Sequence, residues 1–167
     1  MWRGDAARQW AMSTTRTRTG VAGPPGSHDD AEWVDPGLPD SRTAFDRAAI
    51  TVLVADDHPG FRCALESLVR SAVDLVLLGS AGDGAEAVRL TTRLRPRVVV
   101  MDLAMPGVDG VEATRRVRAH RCPPAVIALS GSHERMRDAV AAGAAFTVLK
   151  DVDPERLLNV IRAAARQ

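Results

Sequence analysis

The stretch of sequence that decides the fold is RVVVMDLAMPGVDG, residues 97–110. Its run of four apolar residues, three of them β-branched, is typical of a short strand buried on both faces. The strand ends on the carboxylate of Asp102, and the chain then breaks at a Pro-Gly pair. Asp109, with Glu112 three residues later, predicts a capping box that begins a helix. Taken alone, Asp102 is more typical of a turn residue than of a reactive group, but α/β sheets bind ligands at the carboxyl ends of their strands.

Four more segments repeat the order of a short apolar strand followed by a helical pattern. The strands are predicted at Ile50–Ala55, Leu75–Leu78, Ala125–Leu129 and Phe146–Leu149. Five strands alternating with five helices predict an α/β fold with a parallel sheet. Because crossovers between parallel strands are right-handed, the carboxyl ends of the strands should lie along one edge of the sheet.

The fourth predicted helix is short, and its boundaries rest on small residues. Ser132 is its candidate N-cap, and Gly143 is its candidate stop. The helical spacing of Met136, Ala139 and Val140 predicts that these three side chains form its inner face.

Polar side chains stand at the ends of four strands: Asp56 and Asp57 after the first, then Asp102, Ser130 and Lys150. Three carboxylates converging on one edge would repel one another and resist ionisation. A hard cation removes that penalty, and Mg²⁺ suits a site with few carboxylates. A carboxylate can also attack phosphorus, while an ammonium and a hydroxyl stabilise the phosphoryl oxygens. The residue types therefore fit phosphoryl transfer to a carboxylate.

The composition limits the classes of function. A length of 167 residues is enough for one domain with a core, and a net charge of +1 gives no electrostatic argument for binding nucleic acid or a membrane. No apolar run approaches the roughly 20 residues that a membrane span needs. The two cysteines, Cys63 and Cys122, predict buried thiols in a reducing compartment rather than a disulfide framework. These features predict a cytoplasmic protein.

Residues 1–48 differ in character from the rest of the chain. Gly, Pro, Ser, Thr and Asp dominate, and no helical or strand period runs through them. Residues 1–20 carry four Arg and one Asp, whereas residues 28–46 carry six acidic residues and one Arg. We interpret residues 1–48 as a disordered extension and residues 49–167 as the folded domain. Two alternatives stay open: tryptophans of the extension anchor a partner, or translation starts further downstream.

Four short motifs in residues 50–166 resemble the receiver domain of bacterial response regulators. They are VADDHP at 54–59, MDLAMPGVDG at 101–110, ALSG at 128–131 and VLKD at 148–151. The resemblance is specific because order, strand-end position and spacing agree together. It is strongest to receivers of regulators that end in a LuxR-type helix-turn-helix. It implies a flavodoxin-like fold with strand order 2-1-3-4-5.

The resemblance also implies roles for residues of the edge. Asp102 would accept the phosphoryl group from a sensor histidine kinase or a phosphotransfer protein. Asp57 would bind Mg²⁺ directly and Asp56 through water, with the backbone carbonyl of Ala104 as a further ligand. Lys150 would pair with Asp102 before the transfer and with the phosphoryl group afterwards.

The conformational switch implied by the resemblance would use the hydroxyl of Ser130, which moves towards the phosphate. The family commonly has an aromatic residue three positions before the lysine, but this chain has Thr147 there and Phe146 one position earlier. A shift of one residue moves a strand side chain to the opposite face. We therefore predict that Phe146 packs in the core and that the aromatic part of the switch is altered or absent.

The resemblance implies signalling through protein contacts. The expected partners are the sensor kinase or phosphotransfer protein and an unidentified downstream protein. A second copy of the chain, paired through the last helix and strand, is a further candidate. Direct DNA binding is not expected, because a helix-turn-helix after residue 167 would need roughly 60 more residues. Whether the chain is a truncated DNA-binding regulator stays open.

Two other functions stay open at this stage. The chain could be a degenerate receiver that acts as a dimerisation or binding module without phosphorylation, an alternative that Thr147 mildly favours. It could also be a phosphohydrolase with an aspartyl-phosphate intermediate. Such enzymes typically carry a second carboxylate two residues after the nucleophile, and that position is Ala104. We therefore expect a phosphoacceptor switch rather than an enzyme, with at most self-catalysed phosphoryl transfer and autodephosphorylation.

Overall fold

Strands and helices alternate along residues 49–167, which are the residues that the computed structural model describes. In chain order they are β1 (Ile50–Ala55), α1 (Pro59–Ser71), β2 (Leu75–Ala81), α2 (Gly84–Leu94), β3 (Val98–Asp102), α3 (Gly110–Arg118), β4 (Ala125–Ser130), α4 (Glu134–Ala141), β5 (Phe146–Leu149) and α5 (Pro154–Ala164). The strands form one parallel sheet in the order β2-β1-β3-β4-β5. The predicted fold and strand order are confirmed. The predicted disordered extension at residues 1–48 lies outside the described residues.

The central strand β3 is buried along its whole length, as its apolar run predicts. Its alternate side chains enter two different cores, because successive residues of a strand point to opposite faces. Val98 and Val100 pack with α1 and α5, whereas Val99 and Met101 pack with α2 and α3. Each such side chain contributes about 1.5–3 kcal/mol on full burial. Helices on both faces therefore fix β3, and with it the position of Asp102.

Side chains cap the starts of α1 and α3, and the cap of α3 is the one predicted from the sequence. The imidazole Nδ1 of His58 accepts a hydrogen bond from the backbone N–H of Phe61 at 3.2 Å, so this histidine begins α1. Asp109 begins α3 by accepting from the N–H of Glu112 at 2.9 Å. The reciprocal half of the predicted capping box does not form, because the Glu112 carboxylate forms ion pairs with Arg115 and Arg116 instead.

The predictions for α4 are partly wrong. Ser132 does not cap it; His133 precedes the first helical residue, without a side-chain capping bond. Within α4 only Ala139 is buried; it packs in one apolar cluster with Ala142, the residue that follows the helix. Val140 falls outside this cluster, and 59% of it is exposed rather than internal.

Two further sequence predictions need correction. Cys63 and Cys122 are both exposed thiols, because one lies on the outer face of α1 and the other in the loop before β4. Strand β2 also continues three residues beyond Leu78, through Gly79, Ser80 and Ala81, whose backbone pairs with β1. Among the described helices, none is both long and apolar enough to cross a membrane.

Candidate functional site

Four polar side chains lie buried at the carboxyl edge of the sheet. Asp56 follows β1, Asp102 ends β3, Ser130 ends β4 and Lys150 follows β5. Their exposed fractions are 0%, 1%, 2% and 9%, respectively. Burying charged groups is costly unless they are paired. The bonds among these residues therefore decide what the site can do.

The ammonium group of Lys150 is the counter-charge for two of the carboxylates. Its Nζ donates a hydrogen bond to Asp56 Oδ2 at 2.7 Å and lies 2.8 Å from Asp102 Oδ2. The same Nζ lies 4.8 Å from the centre of the Phe61 ring, at the distance of a cation–π contact. Asp56 is held further by the N–H of His58, which donates to its Oδ1 at 2.9 Å. One lysine that follows the last strand thus joins the ends of β1 and β3.

Burial and charge act in opposite directions on the pKa values of this pair. Burial raises the pKa of Asp56 above its ordinary value, although the Lys150 ammonium opposes the shift. Burial alone would lower the pKa of Lys150, but the carboxylates of Asp56 and Asp102 outweigh it and raise that pKa. Lys150 therefore stays charged over the whole physiological range of pH.

The two oxygens of Asp102 differ in their bonding. Oδ1 accepts a hydrogen bond from the backbone N–H of Ala104 at 3.1 Å. Oδ2 is buried, and the group that lies against it is the Lys150 ammonium at 2.8 Å. Buried carboxylate oxygens normally have a polar partner. Oδ2 is therefore the oxygen of Asp102 that carries the contact with the counter-charge of the site.

Three carboxylates of the edge fit a divalent cation. Asp56, Asp57 and Asp102 each offer one oxygen, and these oxygens lie within 4.8 Å of one another. Asp57 is exposed, whereas the other two are buried, so an ion could reach the group from the solvent side. Oxygen ligands with room for water suit Mg²⁺. The role of the Ala104 carbonyl as a ligand stays a prediction.

The carboxylates open into a cleft of about 540 Å³, which Asp57, Asp102, Ser130 and Lys150 help to line. The hydroxyl of Ser130 does not bond Asp102 or Lys150. It donates to the backbone carbonyl of Ser132 at 2.6 Å and accepts from the N–H of the same residue at 3.1 Å. The structure therefore brings the lysine into contact with two of the carboxylates, Asp56 and Asp102, and places the hydroxyl on the wall of the same cleft.

Phe146 and Thr147 are consecutive in β5, so their side chains lie on opposite faces of the strand. Phe146 pairs with Ile127 in the sheet and packs against the core formed with α1 and α5, which confirms its predicted position. Thr147 pairs with Ala128, which belongs to the apolar cluster on the α4 side. Thr147 is half-buried and is not among the residues that line the cleft.

Sequence reasoning misses two kinds of residue at this edge. Arg135 in α4 lines the cleft and forms an ion pair with Asp109 at 2.8 Å. No sequence signal separates it from the 20 other arginines of the chain. Gly110 stands out in the sequence only as part of a motif, but a Cβ there would lie 1.8 Å from the backbone oxygen of Asp102. Its place directly after a helix-capping Asp is the signal that could have found it.

A parallel five-stranded sheet with three carboxylates and a lysine at its carboxyl edge defines a receiver-type α/β domain. The family model of the response regulator receiver domain matches residues 52–162, and the chain belongs to this family. It is therefore a receiver domain of two-component signalling, as the sequence motifs indicated.

The relatives include transcriptional regulatory proteins and protein-glutamate methylesterases. The chain is 35% identical over 119 residues to the transcriptional regulatory protein LiaR of Bacillus subtilis, a match that covers 70% of this chain and 56% of LiaR. It is 42% identical over 128 residues to protein-glutamate methylesterase/protein-glutamine glutaminase 4 of Myxococcus xanthus, with 70% of this chain and 36% of that protein covered. The chain thus spans about half the length, or less, of these relatives.

Solved structures give the same result for the fold. The receiver domain of the response regulator NarL from Mycobacterium tuberculosis superposes with a TM-score of 0.68 at 31% identity, covering 71% of this chain and 97% of that one. The response regulator domain of Thermotoga maritima CheB gives a TM-score of 0.66 at 30% identity, with coverages of 71% and 98%.

Proposed function

We propose that the chain is a phosphoacceptor switch, phosphorylated on Asp102 by a sensor histidine kinase or a phosphotransfer protein in a Mg²⁺-dependent reaction. The observation that carries the proposal is the position of Asp102 Oδ2 and its contact with Lys150. This oxygen is buried at a strand end, belongs to a residue that lines the cleft, and lies 2.8 Å from the Lys150 ammonium. It therefore keeps a lone pair for attack on phosphorus, next to a positive charge that can receive the phosphoryl oxygens.

In the proposed transfer, an oxygen of Asp102 attacks the phosphorus of the donor phosphohistidine. The P–N bond breaks, its electron pair leaves with the imidazole, and an acyl phosphate forms on Asp102. The Lys150 ammonium pairs with the Asp102 carboxylate before the transfer and with the phosphoryl oxygens afterwards. Asp56, Asp57 and Asp102 would hold the Mg²⁺ ion, which supplies further positive charge beside the phosphoryl oxygens. Lys150 supplies its own share because its raised pKa keeps it an ammonium.

Phosphorylation would change the conformation of the loop after β4. Before transfer, the Ser130 hydroxyl donates to the backbone carbonyl of Ser132 at 2.6 Å. To donate to a phosphoryl oxygen it must give up that bond, so the loop and the start of α4 would change position. Such a contact biases two conformations of the domain and the surface each offers to a downstream protein in the cytoplasm. A homodimer through α5 and β5 is part of this proposal; enzymatic turnover and DNA contact are not.

The test is phosphorylation of the full chain by a small phosphodonor, acetyl phosphate, with Mg²⁺, followed by intact-mass measurement. We expect the mass of one phosphoryl group to appear, to be absent in Asp102→Asn, and to be strongly reduced in Asp57→Asn or with EDTA. Asp138→Asn, an exposed carboxylate of α4, is the matched control and should be phosphorylated normally. A mass increase that persists in Asp102→Asn would contradict the proposal. So would partner binding that is indifferent to Mg²⁺ and to Asp102→Ala, which identifies a degenerate receiver.

A further inference from the structure

A second cleft lies at the opposite edge of the sheet, where the strands begin. It has a volume of about 640 Å³ and lies between the carboxyl ends of α2 and α3. Thr92, Arg95, His120, Arg121 and Cys122 are among the residues that line it. Because these residues precede β3 and β4 in a parallel sheet, the cleft is separated from the phosphorylation site by the length of the strands. The proposed phosphoacceptor chemistry makes no use of it.

Positive charge around this cleft is not balanced by acidic residues of the domain. Arg95 and Arg121 are exposed, and neither forms an ion pair within residues 49–167. The neighbouring guanidinium groups of Arg97 and Arg118 donate to backbone carbonyls rather than to carboxylates. The single acidic residue of α3 is Glu112, which pairs with two other arginines. The cleft therefore presents two arginines that an acidic ligand could pair with.

The chain enters the domain beside this cleft. The backbone N–H of Arg97 donates to the carbonyl and to the hydroxyl of Thr51, each at 3.0 Å. The sheet pairing sets Val52 opposite Val98, so β1 begins next to the loop that contains Arg95. Residues 28–46 precede the start of β1 by four positions and carry six acidic residues and one Arg. At about 3.3 Å per extended residue, the last of these carboxylates can reach the cleft without a long loop.

We propose that the cleft containing Arg95 and Arg121 is a docking site for the acidic segment of the same chain, residues 28–46. Two observations favour this occupant over a free anion or another macromolecule. The charges are complementary, and the covalent connection keeps the segment at a high effective concentration near the cleft. The contact needs no regular structure in the segment, only carboxylates within reach of the two guanidinium groups. This inference does not depend on phosphorylation of Asp102.

The test compares amide NMR spectra of the full chain with a full-length variant in which the six acids are changed to amides. The changes are Asp29→Asn, Asp30→Asn, Glu32→Gln, Asp35→Asn, Asp40→Asn and Asp46→Asn. We expect amide shift differences at residues 91–97 and 120–124, but not along α1. These differences should disappear in about 1 M salt, where the Debye length is about 3 Å. The dispersion of the remaining signals shows whether the variant is folded.

The reciprocal variant removes the arginines of the cleft. In Arg95→Gln/Arg121→Gln, amide signals of residues 28–46 should shift towards their high-salt positions. The matched control Arg137→Gln/Arg156→Gln removes the same charge from exposed positions on α4 and α5 and should leave those signals unchanged. Equal effects of the two variants, or no shifts at residues 91–97 and 120–124 in the first comparison, would overturn the proposal. So would a response of the cleft to inorganic phosphate that is the same with and without the six acids.

Discussion

At the scale of single residues, Lys150 has the largest electrostatic role in the site. It is the single lysine of the chain and contacts two carboxylates that are at most 1% exposed. The pKa of Asp56 is raised by burial even with this ammonium beside it, so the ion pair does not fully offset the cost of desolvation. Three carboxylates share one ammonium at this edge, so the site carries excess negative charge that a divalent cation would balance.

We predict that Lys150→Met destabilises the domain by about 3 kcal/mol in the absence of Mg²⁺, because two buried carboxylates lose their counter-charge. The measurement is the free energy of unfolding in urea. Arg137→Met, an exposed cation on α4, is the control and should change that free energy by no more than about 0.5 kcal/mol. A Lys150→Met loss as small as that of the control would show that the buried carboxylates do not depend on the ammonium.

At the scale of elements, the loop between β3 and α3 is held against the strand by close backbone contact. A Cβ at Gly110 would lie 1.8 Å from the carbonyl oxygen of Asp102, whereas a Cβ at Gly107 would meet no atom within 4 Å. Gly107 instead has a φ of +73°, which favours glycine for conformational reasons alone. Gly110 thus sets how closely α3 approaches strand β3, whereas Gly107 only allows the chain to turn.

The two glycines give a matched pair of predictions. Gly110→Ala should cost about 3 kcal/mol or more in the free energy of unfolding, because the methyl group overlaps backbone that cannot move without displacing Asp102. Gly107→Ala should cost only about 1 kcal/mol, the strain of a left-handed conformation for a residue with a Cβ. Urea unfolding measures both. Similar costs for the two variants would mean that the loop can shift to accept a side chain at Gly110.

At the scale of the whole molecule, distant parts of the chain are joined outside the sheet as well as within it. Arg162 of α5 donates two hydrogen bonds to Asp74, at 2.7 and 2.9 Å, across a separation of 88 residues. The hydrogen bond from Arg162 lowers the pKa of Asp74 below its ordinary value. The pair closes the side of the domain where α1 and α5 cover the same core.

We predict that Asp74→Asn lowers the free energy of unfolding by up to about 1 kcal/mol at neutral pH, since both partners are partly exposed and screened. The folded-state pKa of Asp74 is depressed, so its contribution is present above the ordinary Asp pKa of about 3.9 and is lost as the pH falls through the lowered value. Urea unfolding at several pH values should therefore show the variant and the wild type converging in acid. A constant difference at all pH values would assign the effect to packing rather than to charge.

Much of this fold could be predicted from the sequence because its signals are local. Runs of buried β-branched residues, helix-capping residues and proline positions depend on neighbours within a few residues. A parallel sheet brings residues that end different strands to one edge, so the shared location of Asp56, Asp102, Ser130 and Lys150 follows from the strand pattern. The opposite facing of Phe146 and Thr147 follows from the two-residue period of a strand.

Other features were decided only by the tertiary structure. The ion pair between Arg135 and Asp109, the exposure of Cys63 and Cys122, and the outward position of Val140 all depend on how closely helices approach the sheet. The bond between the Ser130 hydroxyl and the next loop likewise depends on loop geometry. The sequence by itself determined which residues stand at the ends of the strands, because strand periodicity is a local property. The structure decided which oxygen of Asp102 lies against the Lys150 ammonium, because that depends on contacts between residues far apart in the chain.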